Sequence, residues 1–226
     1  KDEHIRINLE ENVQFRKLTT GLENLYFEHQ ALPELDLEEI DLSTELFQKQ
    51  MRVPLMISSM TGGTENARNI NLALATAAEQ TGIGLGLGSM RVAIEEPKTA
   101  DSFQVRDVAP SALILANLGA VQLNYGLATE HCQQVVEMTA ADALILHFNP
   151  VQEALQPEGD TNFAGLLGKI ESVCKALDQD KIPVVAKVVG WGFSESNCRQ
   201  LAEAGVSAID VAGAGGTSWS QVELHR

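Results

Sequence analysis

Short runs that are apolar on nearly every residue recur along this chain, and each ends in a cluster of glycine and polar residues. The runs occupy residues 53–57, 82–88, 112–117, 143–147, 182–187 and 208–212. A strand that is apolar throughout is covered on both faces, the situation of parallel strands wrapped by helices. Helical periodicity fills the intervals. Ala67, Ile70, Leu74, Ala77 and Ala78 share one side of residues 66–80. Phe163, Leu166, Leu167, Ile170, Val173, Cys174 and Leu177 form an apolar stripe over residues 163–177. Further helices are expected over 126–139 and over 195–204, the latter capped by Ser194. Residues 98–108 read as a short helix stopped by Pro110, and the segment from the fourth strand to about 161 as a polar loop.

Six strand–helix units in succession mean an α/β fold, and two architectures compete. A doubly wound open sheet binds ligands at one switch point. Here no strand carries a GxGxxG start, and polar residues follow all six strands. That pattern fits a TIM (β/α)₈ barrel, whose chemistry gathers at the carboxyl ends of the strands. Six strands would leave two open edges, so a seventh and an eighth unit are expected beyond the sequence shown. The organisation expected is an N-terminal extension and cap over residues 1–50, then the first six units of one barrel over 51–226.

Composition limits the partners. The net charge is −15, from 31 acidic against 16 basic residues. This argues against non-specific binding to nucleic acid or to anionic membranes. No run is long enough to span a bilayer and no signal peptide is visible. Cys132, Cys174 and Cys198 all fall in expected helices without CxxC spacing, which reads as reduced thiols in a cytoplasmic protein. The acids of residues 34–45 read as a solvated face.

Six groups at the strand ends could carry chemistry. Ser58, Ser59, Met60, Thr61, Gly62 and Gly63 offer hydroxyls and backbone N–H groups to a ring or a phosphate, although a turn accounts for them equally. Arg91, after Ser89 and Met90, could pair with a phosphate or a carboxylate. Asn117 ends an apolar strand with donors and acceptors to satisfy. His147, Asn149, Gln152, Glu153, Gln156, Glu158 and Asp160 crowd together after the fourth strand. There His147 can exchange protons near neutrality, and Glu153 can give oxygen to Mg²⁺. Lys187, at the end of an apolar strand, could be a Schiff-base amine, a fixed cation, or the partner of a nearby acid. Asp210 precedes a glycine-rich loop, residues 213–219, that lacks the ending of a P-loop.

Taken in order, these groups resemble type 2 isopentenyl-diphosphate isomerase, the flavin-dependent family, along the whole chain. The likeness rests on Lys1-Asp2-Glu3-His4, Ser58 to Gly63, Gly88 to Arg91, Ala116 to Gly119, His147-Phe148-Asn149, Gln152-Glu153, Gln156 to Asp160 and Ala212 to Trp219. It implies an isomerase that interconverts isopentenyl and dimethylallyl diphosphate by a 1,3-proton shift. It also implies reduced FMN, Mg²⁺, NADPH or NADH as reductant, and a homo-oligomer, tetramer or octamer. Ser59, Met60, Thr61, Ser89, Asn117, Lys187, Thr217 and Ser218 would bind the flavin. Lys1, His4, Arg91, His147, Asn149 and Gln152 would bind the diphosphate substrate, and Glu153 the metal. Gln152, His147 and Lys187 would be the catalytic group. Two departures stand out: no Arg precedes Lys1, and Val188 follows Lys187 where an acid is expected. The alternative reading is another FMN-dependent barrel, an oxidoreductase of the 2-hydroxy-acid oxidase type.

Overall fold

The computed structural model describes residues 2–226. Its elements in chain order are helix α1 (Asp2–Glu10), strands β1 (Thr44–Leu46), β2 (Lys49–Met51) and β3 (Met56–Ile57), helix α2 (Glu65–Thr81), strand β4 (Gly84–Gly86) and helix α3 (Arg91–Glu95). Then come β5 (Ile114–Gly119), α4 (Thr129–Thr139), β6 (Ala143–Phe148), α5 (Pro150–Leu155), α6 (Leu166–Asp178), β7 (Val184–Val188), α7 (Glu195–Glu203), β8 (Ala208–Asp210) and α8 (Trp219–Leu224). Strands β3 to β8 make one parallel sheet in the order β3-β4-β5-β6-β7-β8. A doubly wound sheet reverses its strand order at the switch point. This sheet never does, and it advances one unit at a time as a barrel wall does.

Alternate residues of the central strands part into two cores. Ile114, Ala116, Leu118, Leu144, Leu146, Val184 and Ala186 pack with helix residues such as Ala75, Cys132, Val135, Ile170 and Val173. Leu113, Leu115, Ala143, Ile145 and Val185 instead join Met51, Leu46 and Phe47. The antiparallel hairpin β1–β2 therefore plugs the concave side of the sheet near the strands' amino ends. Two residues further along the same concave columns the side chains become polar: Asn117 after Leu115, His147 after Ile145, Lys187 after Val185 and Asp210 after Ala208. The register sets Gly119 opposite His147, His147 opposite Lys187, and Lys187 opposite Asp210. The strand period thus delivers His147, Lys187 and Asp210 at one level, with Asn117 two residues lower on β5.

Local chemistry fixes the helix ends. Thr64 accepts from Ala67 N at the start of α2, and Ser194 accepts from Asn197 N at the start of α7, each cap contributing about 1 kcal/mol. Several expectations are corrected. Residues 97–103 form a 3₁₀ run, not the start of an α-helix. The hydroxyls of Thr99 and Ser102 there bond to nearby carbonyls and compete with α-helical pairing. The polar segment after β6 contains α5, because Pro150 stands at its first turn with φ already set for a helix. Within residues 1–50, α1 is held by Ile7, which is buried with Val13 and Val222 of α8.

The acids between residues 34 and 45 are exposed, as a solvated face requires. Burial pushes the Cys132 thiol up to about 12 and the Cys174 thiol to about 11, so both stay protonated as packing groups at neutral pH. Among the described residues, no helix is long and apolar enough to cross a membrane.

Candidate active site

A cleft lies over the carboxyl ends of the sheet, and the polar row forms its floor. Asn117, His147 and Lys187 all line it. Asn117 Nδ2 donates to Leu87 O at 3.0 Å, which turns its Oδ1 toward His147 Nδ1 at 2.7 Å. Nδ1 must therefore carry the proton, and in the neutral ring the lone pair belongs to Nε2. Gly119 keeps the neighbouring strand clear, since a Cβ there would sit 3.3 Å from His147 Nε2.

Lys187 is 7% exposed, and among the described residues its ammonium makes one long hydrogen bond, to Val188 O at 3.4 Å. Burial lowers its pKa and the nearby Asp210 carboxylate partly restores it. Such a cation lacks the full complement of partners that a structural lysine acquires.

One wall comes from the first two units. Ser59 and Met60 line the cleft, and the Ser59 hydroxyl is buried with no hydrogen-bond partner among the described residues. Glycines make this wall flat. A Cβ at Gly86 would lie 2.6 Å from Ser59 Oγ, and one at Gly88 would strike the backbone of Thr61. Ser89 and Arg91 follow on the same wall. The Arg91 guanidinium pairs with Glu95 through Nε at 2.6 Å and with Asp160 through Nη1 at 2.9 Å. The Glu95 bond above all raises its pKa, so it is a permanent cation.

Helix α5 supplies the opposite rim. Asn149 Nδ2 donates to Glu153 Oε1 at 2.7 Å, and Asp160 N donates to Glu153 Oε2 at 2.7 Å. Asn149 Oδ1 is buried without a hydrogen bond among the described residues. Nor do three His, Cys, Asp or Glu side chains gather among them as a metal set. A hard cation at Glu153 would therefore complete its shell with ligand oxygens and water, as Mg²⁺ commonly does.

Helices α1 and α8 stand beside α5. Gln152 and Gln156 both donate to Glu223 Oε1 of α8, at 2.8 and 3.0 Å. His4 Nε2 lies 3.6 Å from the same oxygen, and its ring meets Trp219 edge-on with centroids 5.5 Å apart.

The structure thus brings together His4, Ser59, Met60, Ser89, Arg91, Asn117, His147, Asn149, Gln152, Glu153 and Lys187 around one cleft. Three residues expected at the flavin stand elsewhere in this arrangement. Thr61 is outside the cleft lining, its carbonyl accepting from Asn71. The Thr217 hydroxyl bonds to Asn8, and Ser218, 3% exposed, donates its amide to Val13 O at 2.7 Å. Lys1 lies outside the described residues. Gln122 and Glu223 escaped sequence reasoning. Gln122 is a lone amide inside a buried turn, which is a weak signal. Glu223 gives none, because its burial depends on glutamines 67 and 71 residues earlier.

The family of FMN-dependent dehydrogenases matches residues 3–106. Over all 226 residues the chain is 54% identical to an isopentenyl-diphosphate delta-isomerase from Synechocystis sp., of which it covers 64%. The values for the protein of that name from Rickettsia bellii are 51% and 65%. The chain thus spans a little under two thirds of the length of the curated relatives it matches. Among solved structures, a mutant of the active chimera of (S)-mandelate dehydrogenase superposes with a TM-score of 0.52 at 17% identity. That match covers 92% of this chain and 62% of the other, a likeness of fold alone. Along its whole length, this chain is similar to proteins named isopentenyl-diphosphate delta-isomerase, at 53–54% identity.

Proposed function

We propose that the protein to which this chain belongs interconverts isopentenyl and dimethylallyl diphosphate, using reduced FMN and Mg²⁺. The observation that carries this reading is one cleft lined by a permanent cation, Arg91, by the carboxylate of Glu153 beside Asn149, and by the under-partnered buried Lys187. Identity of 50–54% with relatives named for this reaction supports it across the chain. The residues fit both absent groups. The orphaned Ser59 hydroxyl and the flat wall at Gly86 and Gly88 suit a planar ring with polar edges. Glu153 suits a cation shared with phosphate oxygens.

The substrate's alkene has no heteroatom to activate, so a proton must be added at one carbon and removed at another. The reduced flavin supplies an electron-rich ring and a proton-exchanging nitrogen. Ser59, Met60, Ser89, Asn117 and Lys187, which line the cleft, are the residues we assign to hold it, with Thr61, Thr217 and Ser218 added on the family resemblance alone. Lys187 offers fixed positive charge where the ring carries negative charge. His147, held in one tautomer by Asn117, pairs with Arg91 and Asn149 as the diphosphate group, with Lys1 and His4 closing over it. Gln152, fixed by Glu223, is placed to orient the isoprenoid. We further assign NADPH or NADH as reductant, a homo-oligomeric, cytoplasmic protein, residues 1–50 as a cap, and residues 51–226 as six units of one barrel.

The oxidase alternative rests on a likeness of fold at 17% identity, which carries no activity with it. The test is conversion of isopentenyl diphosphate by the full-length protein with FMN, Mg²⁺ and a reductant. Conversion that requires reduced FMN is the expected result. Flavin bleaching by a 2-hydroxy acid, with no isomerisation, would replace the reading with the oxidase one.

A further inference from the structure

The turn after α5 is built around a close approach of backbone to backbone. A Cβ at Gly159 would overlap the carbonyl of Glu153, so only glycine lets the chain lie there. The next amide, Asp160 N, is thereby delivered to Glu153 Oε2 at 2.7 Å. The Asp160 carboxylate then accepts at one oxygen, Oδ2, from both Arg91 Nη1 and Gln122 Nε2, each at 2.9 Å. Gln122 is only 5% exposed and lines the cleft. One residue therefore ties the turns after β4, β5 and β6, and it links the cleft's arginine to its carboxylate.

Charge alone does not explain this. Glu95 and Asp160 together offset the positive charge of Arg91 beside a cleft read as taking a polyanion. An isolated carboxylate there repels that ligand. What the two carboxylates provide is direction: with Nε and Nη1 both engaged, the guanidinium plane is fixed, while Nη2 has no hydrogen bond among the described residues.

We propose that Asp160 is the positioning residue of the anion site, holding Arg91 in place and coupling it to Glu153, so that diphosphate and cation bind as one unit. This rests on the reading of Arg91 and Glu153 given above. Asp160 acts through both and touches neither ligand.

Asp160→Leu sets direction against charge, because it removes the oxygen that Arg91 and Gln122 share together with its negative charge: lost direction weakens the ligand, whereas lost charge alone tightens it. Full-length, FMN-loaded protein is titrated with inorganic pyrophosphate at several Mg²⁺ concentrations by calorimetry. Positioning predicts pyrophosphate binding weakened about 10-fold, a Mg²⁺ requirement raised alongside it, and KM changed more than kcat. In an Arg91→Ala background the same substitution adds little. Gln122→Leu, which leaves the Asp160–Arg91 pair in place, weakens binding in the same direction by less and serves if Asp160→Leu does not fold. Tighter or unchanged pyrophosphate binding in these variants, or full additivity with Arg91→Ala, overturns the positioning role. Failure of the unsubstituted protein to bind pyrophosphate overturns the diphosphate reading itself, and this role with it.

Discussion

At the amino ends of the sheet, polar groups are satisfied several times over. Asp142 takes Ile114 N and Arg106 Nη2 on one oxygen, both at 2.9 Å, and Lys49 on the other at 3.2 Å. Arg106 also closes on the carbonyls of Ala109, Ala112 and Ala140. At the carboxyl ends the account is different. Among the described residues, Ser59 Oγ and Asn149 Oδ1 are buried without a hydrogen bond, and Lys187 makes only one long bond. Buried polar groups are ordinarily paired. One end of the sheet therefore has its polar groups fully paired, and the other leaves several unpaired among the described residues.

That contrast can be broken by experiment. The largest effect is expected at the ligand end: Glu153→Gln should lower turnover by about 100-fold and raise the Mg²⁺ requirement. Mg²⁺ dependence unchanged in a titration of rate against metal would remove the residue from the metal site. At the other end, Asp142→Ala should cost about 2 kcal/mol of stability in a denaturant titration, since it strands Lys49, Arg106 and a backbone amide. Its pyrophosphate affinity should match that of the unsubstituted protein, and a loss would show that the two ends are not separable.

Lys187→Met should weaken FMN binding in a fluorescence titration while stabilising the ligand-free fold at neutral pH. Burial holds the lysine's folded-state pKa below its unfolded value. Between those values the unfolded chain binds more protons, so stability rises with pH. The advantage of methionine should therefore shrink as pH climbs into the ordinary lysine range, and a gain independent of pH would contradict the assignment. The smallest effect is at the hairpin, where Phe47 and Gln48 adopt φ of 51° and 64°. Gln48→Gly should stabilise by about 1 kcal/mol, read as a higher melting temperature.

The same contrast explains what could be read from the sequence. Parallel strands buried on both faces announce themselves as apolar runs, as β4, β5 and β7 do, and the less buried β3 and β8 carry apolar runs too, so all six were legible, as was the polar cluster after each. The alternation inside those runs was not, because Leu113, Ile114, Leu115 and Ala116 look alike whichever core they enter. The hairpin was hidden because Phe47-Gln48 lacks the Asn-Gly signature of such turns. Helices α1 and α8 were hidden for another reason: each is short, and they are buried through each other at Ile7 and Val222. Gln122 and Glu223 belong to that second class, as residues whose surroundings are assembled from distant parts of the chain.

The clasp between the two ends has a consequence for how the molecule is made. Thr217 bonds to Asn8 across 209 residues, Gln14 bridges Thr217, and Ile7 waits for Val222. During synthesis His4 emerges 219 − 4 = 215 residues before Trp219, which opens the helix against which it docks. At about 5–20 residues per second, roughly 10–40 s separate them. For that interval the nascent chain can pair strands in order, each with its predecessor, while the cleft stays open on the side where Glu223 will stand. The most sequence-distant contacts form late, so the site is completed after the sheet that supports it.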